Sequence, residues 1–153
     1  MSQVILNFQL ACDNASGIPE KRDFIRWLKG ALLLFRDYYE VTIRLVNEDE
    51  IHKLNMTYRG KNRPTNILSF KFESTSKVNL HFLGDLVICS QIVKREAQKQ
   101  KKAIKAHWAH IVIHGSLHLL GYNHLLENEA LVMESLETEI MQKFGYPDPY
   151  LGR

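Results

Sequence analysis

The chain has 153 residues, 45% of them hydrophobic and 24% charged. Those proportions suit one globular domain over residues 1–153 and exclude a collagen-like, low-complexity or disordered chain. Lys and Arg number 20 against 17 Asp and Glu, and the resulting +3 selects no partner by itself.

Two cysteines, Cys12 and Cys89, form no Cys-x-x-Cys pair. They read as small buried side chains of a reduced, intracellular chain. The N-terminus has no basic stretch leading into an apolar one, and no apolar run nears the ~20 residues of a membrane span. The expectation is a cytoplasmic protein without membrane association.

Val4 to Ala11 alternates as a strand around Leu6, Phe8 and Leu10. Asp13 to Gly17 is a turn cluster, and Pro19 suits the first turn of a helix. Phe24, Ile25, Leu28, Ala31, Leu32 and Phe35 recur at helical spacing, which predicts a helix to about Arg36. Tyr39 to Val46 is a second strand. Asn47 with Glu50 resembles a capping box for a short helix through Ile51, Leu54 and Asn55. Tyr58 to Thr65 reads as a polar loop, Asn66 to Phe72 as a strand, and Glu73 to Asn79 as a loop. Leu83 to Cys89 is a fourth strand. Ser90 caps a helix to about Lys101, and a second runs from Ala103 to Leu120, ended by Gly121. A last helix spans about Glu127 to Phe144. The order is α+β: a small, mostly four-stranded sheet with about five helices.

Five of the seven histidines lie between His107 and His124. His114 and His118 are four apart, so their side chains stand on one helix face, about 5–6 Å apart at Cβ. Gly121 lets the chain leave the helix at positive φ and fold back, bringing His124 toward them. This is the His-x-x-x-His-x-x-Gly-x-x-His spacing of metzincin-type zinc sites. It predicts one zinc ion on three imidazoles at the C-terminal end of a central helix, with one coordination position open. Metzincins carry a glutamate base after the first histidine. Gly115 stands there, which counts against peptidase chemistry. His107 and His110 lie on or near the same stripe, but the alternative triad of His110, His114 and His118, spread along two turns of straight helix, spans ~12 Å, too far for one ion. His107 and His110 therefore read as packing residues or supports behind the ligands, and His52 and His81 as ordinary side chains.

The run His114 to His124 resembles the signature of the YbeY endoribonuclease family, the bacterial ribosomal RNA maturation factors. Two other stretches are similar to that family: Leu54 to Arg59 leading into Pro64 to Phe70, and Leu83 to Ile88. The resemblance implies an α+β fold, zinc on His114, His118 and His124, and cytoplasmic, single-strand-directed cleavage of RNA. It also implies a role in 16S ribosomal RNA 3′-end maturation and ribosome quality control, with the small subunit and ribosome-associated proteins as partners and no nucleotide cofactor. The family's functional arginine falls on Arg59. Asn66 and Asn123 stand where the family usually has Asp, which bears on tuning around the metal rather than on the ligands.

Arg59 suits charge stabilisation on a phosphodiester, because its planar fork matches phosphoryl oxygens. Asp85 is open between a proton acceptor and a structural carboxylate at a strand end. From Arg59 to Lys105 there are 11 basic and 3 acidic residues, a segment charge of +8, against −5 for the remainder. Lys61, Arg63, Lys94, Arg95 and Lys99 in that segment are candidates for contacts to RNA phosphates. Tyr58 and Phe70 are candidates to stack on bases, although Phe70 also suits the core. The acidic last helix is expected to face away from the site. Two other readings remain open: a zinc hydrolase of another substrate class, and a non-catalytic RNA-binding assembly protein.

Overall fold

A computed structural model describes residues 3–13, 16–72 and 81–151. The elements in chain order are β1 (Gln3–Ala11), α1 (Lys21–Leu32), β2 (Tyr38–Val46), α2 (Glu48–Arg59), β3 (Ile67–Lys71), β4 (Phe82–Cys89), α3 (Ser90–Lys99), α4 (Ile104–Leu119) and α5 (Glu127–Lys143). The fold is α+β, as the element order predicts. The loop expected over Glu73 to Asn79, and Asn14 and Ala15 of the expected turn, lie outside the described residues.

The sheet order is β1-β2-β4-β3. β1, β2 and β4 run parallel, and β3 pairs antiparallel with β4, placing it at an edge. Parallel neighbours need long crossovers, and α1 supplies the one between β1 and β2. The alternation in β2 turns Tyr39, Val41, Ile43 and Leu45 into the main core, where they meet α1 and α4. The other sheet face is smaller: Val46, Leu68, Val87 and Cys89 pack with Ile51 of α2. Phe24 makes edge-on contacts with Trp27 and Trp108, each at 5.7 Å between ring centroids. These three fully interior rings lock α1 to α4, each worth roughly 1.5–3 kcal/mol of burial.

α4 is the central helix. From His107 to Leu119 every residue is buried except His110, His114 and His118, which keep partial exposure. Those three are spaced by four, so the helix shows a single stripe to solvent.

Several boundaries differ from the sequence expectation for identifiable reasons. α1 stops at Leu32, and Leu34 and Phe35 lie exposed beyond it. Its start falls after Pro19, where the Asp23 carboxylate accepts a hydrogen bond from the Glu20 N–H at 3.0 Å. The capping box at Asn47 does not form. The Asn47 side chain instead donates to Asp13 at 3.0 Å, while Glu50 pairs with Arg44 at 2.9 Å. α2 continues to Arg59 and ends at Gly60, which has φ 67°. Tyr58 and Arg59 therefore sit on a helical turn, not in a loop. Leu10, expected to face inward, is exposed. Cys89 is buried, and burial pushes its thiol pKa up.

Candidate metal centre

The last turns of α4 and the chain after it build the site. Leu120 ends the helix, Gly121 takes φ 106°, and the Tyr122 N–H donates to the Leu117 carbonyl at 3.0 Å. This reversal is the left-handed helix stop for which glycine is suited. It places the Tyr122 carbonyl 3.0 Å from His118 Nδ1 and brings His124 beside both helical histidines. The ring centroids of His114, His118 and His124 lie 4.6, 5.1 and 5.6 Å apart. One ligand atom from each falls within 4.8 Å of the others.

Hydrogen bonding sets the tautomers. His118 Nδ1 can only donate to the Tyr122 carbonyl, which leaves the lone pair on Nε2. His114 Nδ1 faces the Glu137 carboxylate at 2.5 Å, which likewise puts the proton on Nδ1. The two Nε2 atoms then face each other at 3.1 Å, each carrying a lone pair. Two acceptors so close are unfavourable without a shared cation. A tetrahedral zinc with Zn–N about 2.0–2.1 Å needs about 3.3–3.4 Å between ligand nitrogens. The observed spacing fits such an ion, so the histidines can hold a metal. Burial, with His114 and His124 nearby, lowers the His118 pKa to about 4, so its ring is neutral and able to ligate at physiological pH.

Glu137 on α5 is the residue the sequence reading missed. It is fully buried and meets His114, His110 at 3.3 Å, and the Tyr150 hydroxyl, which donates to it. Burial alone would raise its pKa. Hydrogen bonds from His110, His114 and Tyr150 outweigh burial and hold it at about 2. The last helix thus turns one glutamate toward the site, correcting the expectation that its acidic residues all face away. The signal was available: Met133, Glu137, Ile140 and Met141 share the buried helical stripe of α5. His110, His114 and Glu137 also form a second cluster of donor atoms within 4.8 Å. His114 joins it through Nδ1, the nitrogen turned away from His118.

Gly115 faces the sheet. A Cβ there would lie 2.6 Å from Ile67 Cδ1 and 2.9 Å from Leu86 Cδ2. The position that carries a base in metzincins has no room for a carboxylate here. Asp85 shares the face of Val87 and Cys89 on β4, opposite the Leu86 side chain that packs beneath Gly115, and is not among the described residues lining the groove beside the histidines.

The histidines open onto a groove of about 1230 Å³. Residues 65–71 form one wall with consecutive positions, so the groove runs along the outer edge of β3. Arg59, at the end of α2, lines it with His114, His118 and His124. Tyr58 lines it too, 66% exposed and edge-on to Phe70 at 5.2 Å. The other basic candidates are dispersed. Lys61 and Arg63 lie in the connection after α2, Lys94 borders a smaller cavity with Gly17 and Ile18, Arg95 pairs with Glu48, and Lys99 ends α3. None of these five lines the groove among the described residues, whereas Lys71 and Lys102 do. His52 meets Asn62 at 2.8 Å, and His81 packs edge-on to Tyr38.

A family model described as Endoribonuclease YbeY matches residues 14–145. The chain belongs to the YbeY endoribonuclease family. Membership supports an endoribonuclease activity and a role in ribosomal RNA processing. The chain is also similar to the solution structure of TM1509 from Thermotoga maritima, over 95% of this chain and 99% of that one. The sequence identity is 24% and the TM-score 0.58, which shows a common fold. Two asparagines depart from the YbeY pattern outlined above, and each has a local role. Asn123 Oδ1 accepts from the Leu125 N–H at 3.3 Å, shaping the turn that carries His124. Asn66 Nδ2 donates to Glu96 at 3.1 Å, which an ionised Asp could not do.

Proposed function

We propose that this protein is a zinc-dependent endoribonuclease specific for single strands, acting in 16S ribosomal RNA 3′-end maturation and ribosome quality control. The observation that carries the metal dependence is the convergence of two lone-pair-bearing Nε2 atoms at 3.1 Å beside His124, open to the groove. His114, His118 and His124 are the proposed ligands. A zinc ion held there supplies Lewis acidity toward a phosphoryl oxygen and lowers the pKa of a water toward ~7.

The chain's own residues do the rest. Glu137 and the Tyr122 carbonyl fix the proton on each Nδ1 and keep the ligand rings oriented. Arg59 offers its fork to the phosphoryl oxygens on which charge builds during cleavage. Lys71 and Lys102 add positive charge along the groove wall. Lys61, Arg63, Lys94, Arg95 and Lys99 contribute, on this reading, to wider phosphate attraction outside the groove. A single strand suits the groove, because it lies along one strand edge rather than in a broad concave face. The substrate is ribosomal RNA in the context of the small subunit and its associated proteins, in the cytoplasm. No helix among the described residues is long and apolar enough to cross a membrane.

Metal analysis of the purified protein, paired with cleavage of precursor small-subunit RNA with and without a chelator, tests this reading. One equivalent of zinc and chelator-sensitive cleavage are expected. Full cleavage by metal-free protein overturns it. The absence of a glutamate at position 115 disfavours the peptidase alternative.

A further inference from the structure

The groove holds one acidic side chain among its described lining residues, Glu96 of α3. It sits among cations and histidines, where a phosphate-binding channel would not place a carboxylate. Its surroundings hold it firmly. Asn66 Nδ2 reaches its two oxygens at 3.1 and 3.4 Å, and His107 Nε2 lies 2.9 Å from Oε1. His107 is 4% exposed, and its Nδ1 has no hydrogen-bond partner. The ring proton therefore belongs on Nε2, donated to Glu96. Burial raises the Glu96 pKa, but the hydrogen bonds from His107 and Asn66 win and hold it below the usual glutamate value. The side chain keeps 32% of its surface exposed toward the groove.

A carboxylate accepts about four hydrogen bonds, and two donor groups engage this one. It has acceptor capacity left, and it repels phosphate. The partner that suits it is a pair of adjacent donors on a base. Guanine alone offers two, N1–H and N2–H, side by side on its Watson–Crick edge. Adenine and cytosine set one amino group beside an acceptor, and uracil flanks its single N–H with two carbonyls. His107 stands seven residues before His114 on α4, about 10.5 Å along the helix. That offset separates Glu96 from the histidines by a few nucleotides of a strand lying in the groove.

We infer that Glu96, held by Asn66 and His107, reads a guanine base of the RNA strand, a few nucleotides from the metal centre. This specificity rests on the reading of the protein as an RNA-cutting enzyme. Glu96 is a recognition residue here and takes no part in bond breaking.

The test uses fluorescent oligouridines carrying one guanosine, inosine or cytidine, bound to the intact protein and to Glu96→Gln, with cut sites mapped on the same strands. One guanosine is expected to tighten binding roughly tenfold over oligouridine. Inosine, which lacks the N2 amine, should recover only part of that gain. Glu96→Gln should lose the guanosine preference while still binding oligouridine. Equal binding of guanosine and inosine by the unaltered protein overturns the inference without any variant, so a folding defect in Glu96→Gln cannot hide the answer. A cytidine preference overturns it as well. Binding and cutting without base preference removes this inference alone, whereas failure to bind or cut any RNA removes the functional reading with it.

Discussion

The buried carboxylate of Glu137 faces Nδ1 of His114 across the interface of α5 and α4. A proposed ligand is thus anchored by a residue 23 positions further along the chain. The carboxylate sets the tautomer and makes the opposite nitrogen a stronger donor to metal. Glu137→Gln should weaken zinc binding about 10–100-fold. Competition against a chromophoric chelator measures it, and unchanged affinity would remove Glu137 from the site.

His114→Ala removes a proposed ligand and empties part of a half-buried stripe. Zinc binding and RNA cleavage should both be lost with the fold kept, because His114 is not in the core. Metal content and circular dichroism of the variant check this. A full equivalent of tightly held zinc would refute the ligand assignment.

Arg59 lies in the groove but touches none of the histidines. Arg59→Glu should therefore leave the metal in place and abolish cleavage. Arg59→Ala should lower the single-turnover rate about 10²–10³-fold, the scale of losing one charge-stabilising donor. Wild-type rates in both variants would take Arg59 out of the chemistry.

Gly115→Ala tests the packing that displaces a base from this position. The added methyl meets Ile67 and Leu86 well inside contact distance. Overpacking of this kind costs about 1–3 kcal/mol. Urea unfolding should show the loss. A neutral result would mean that the side-chain ends of Ile67 and Leu86 shift freely.

Acid should unfold the metal-stripped protein in two overlapping stages. His118 has a folded pKa of about 4 against 6.5 for the free side chain. The unfolded chain binds more protons between those values, so stability falls as pH drops through that window. Glu137, at about 2 against 4.5, gives stability that is present above 4.5 and lost below it. Urea midpoints at pH 7, 5.5 and 4.5 should decrease steadily. A flat series would contradict the buried network.

The parts of the site legible in the sequence were those carried by local spacing. His114, His118 and His124 span 11 residues, and the glycine between them declares the turn. The four strands and five helices among the described residues were also legible from periodicity. What escaped notice depends on tertiary packing. Glu137 meets His114 only because α5 crosses α4, and nothing near it in sequence contains a histidine. Which cations line the groove was not legible for a related reason. The +8 segment is basic in sum, yet Lys94 and Arg95 project from α3 toward Gly17 and Glu48, while Lys71 and Lys102 reach the groove. A linear tally cannot show how a helix is rotated. The helical turn carrying Tyr58 and Arg59 read as loop because its residues are polar, although Gly60 marks its end.

The position of β3 along the groove also bears on pairing between sheets of two copies of this chain. An edge strand offers bare amide and carbonyl groups that recruit strands from other molecules. β3 is only five residues long, carries Lys71, and forms one wall of a channel also lined by residues of α2 and α4. A lone polynucleotide strand is a slimmer occupant for that channel than a second sheet. The groove proposed for the substrate thus runs along the β3 edge, one of the two edges of the sheet, and a strand bound there would cover it.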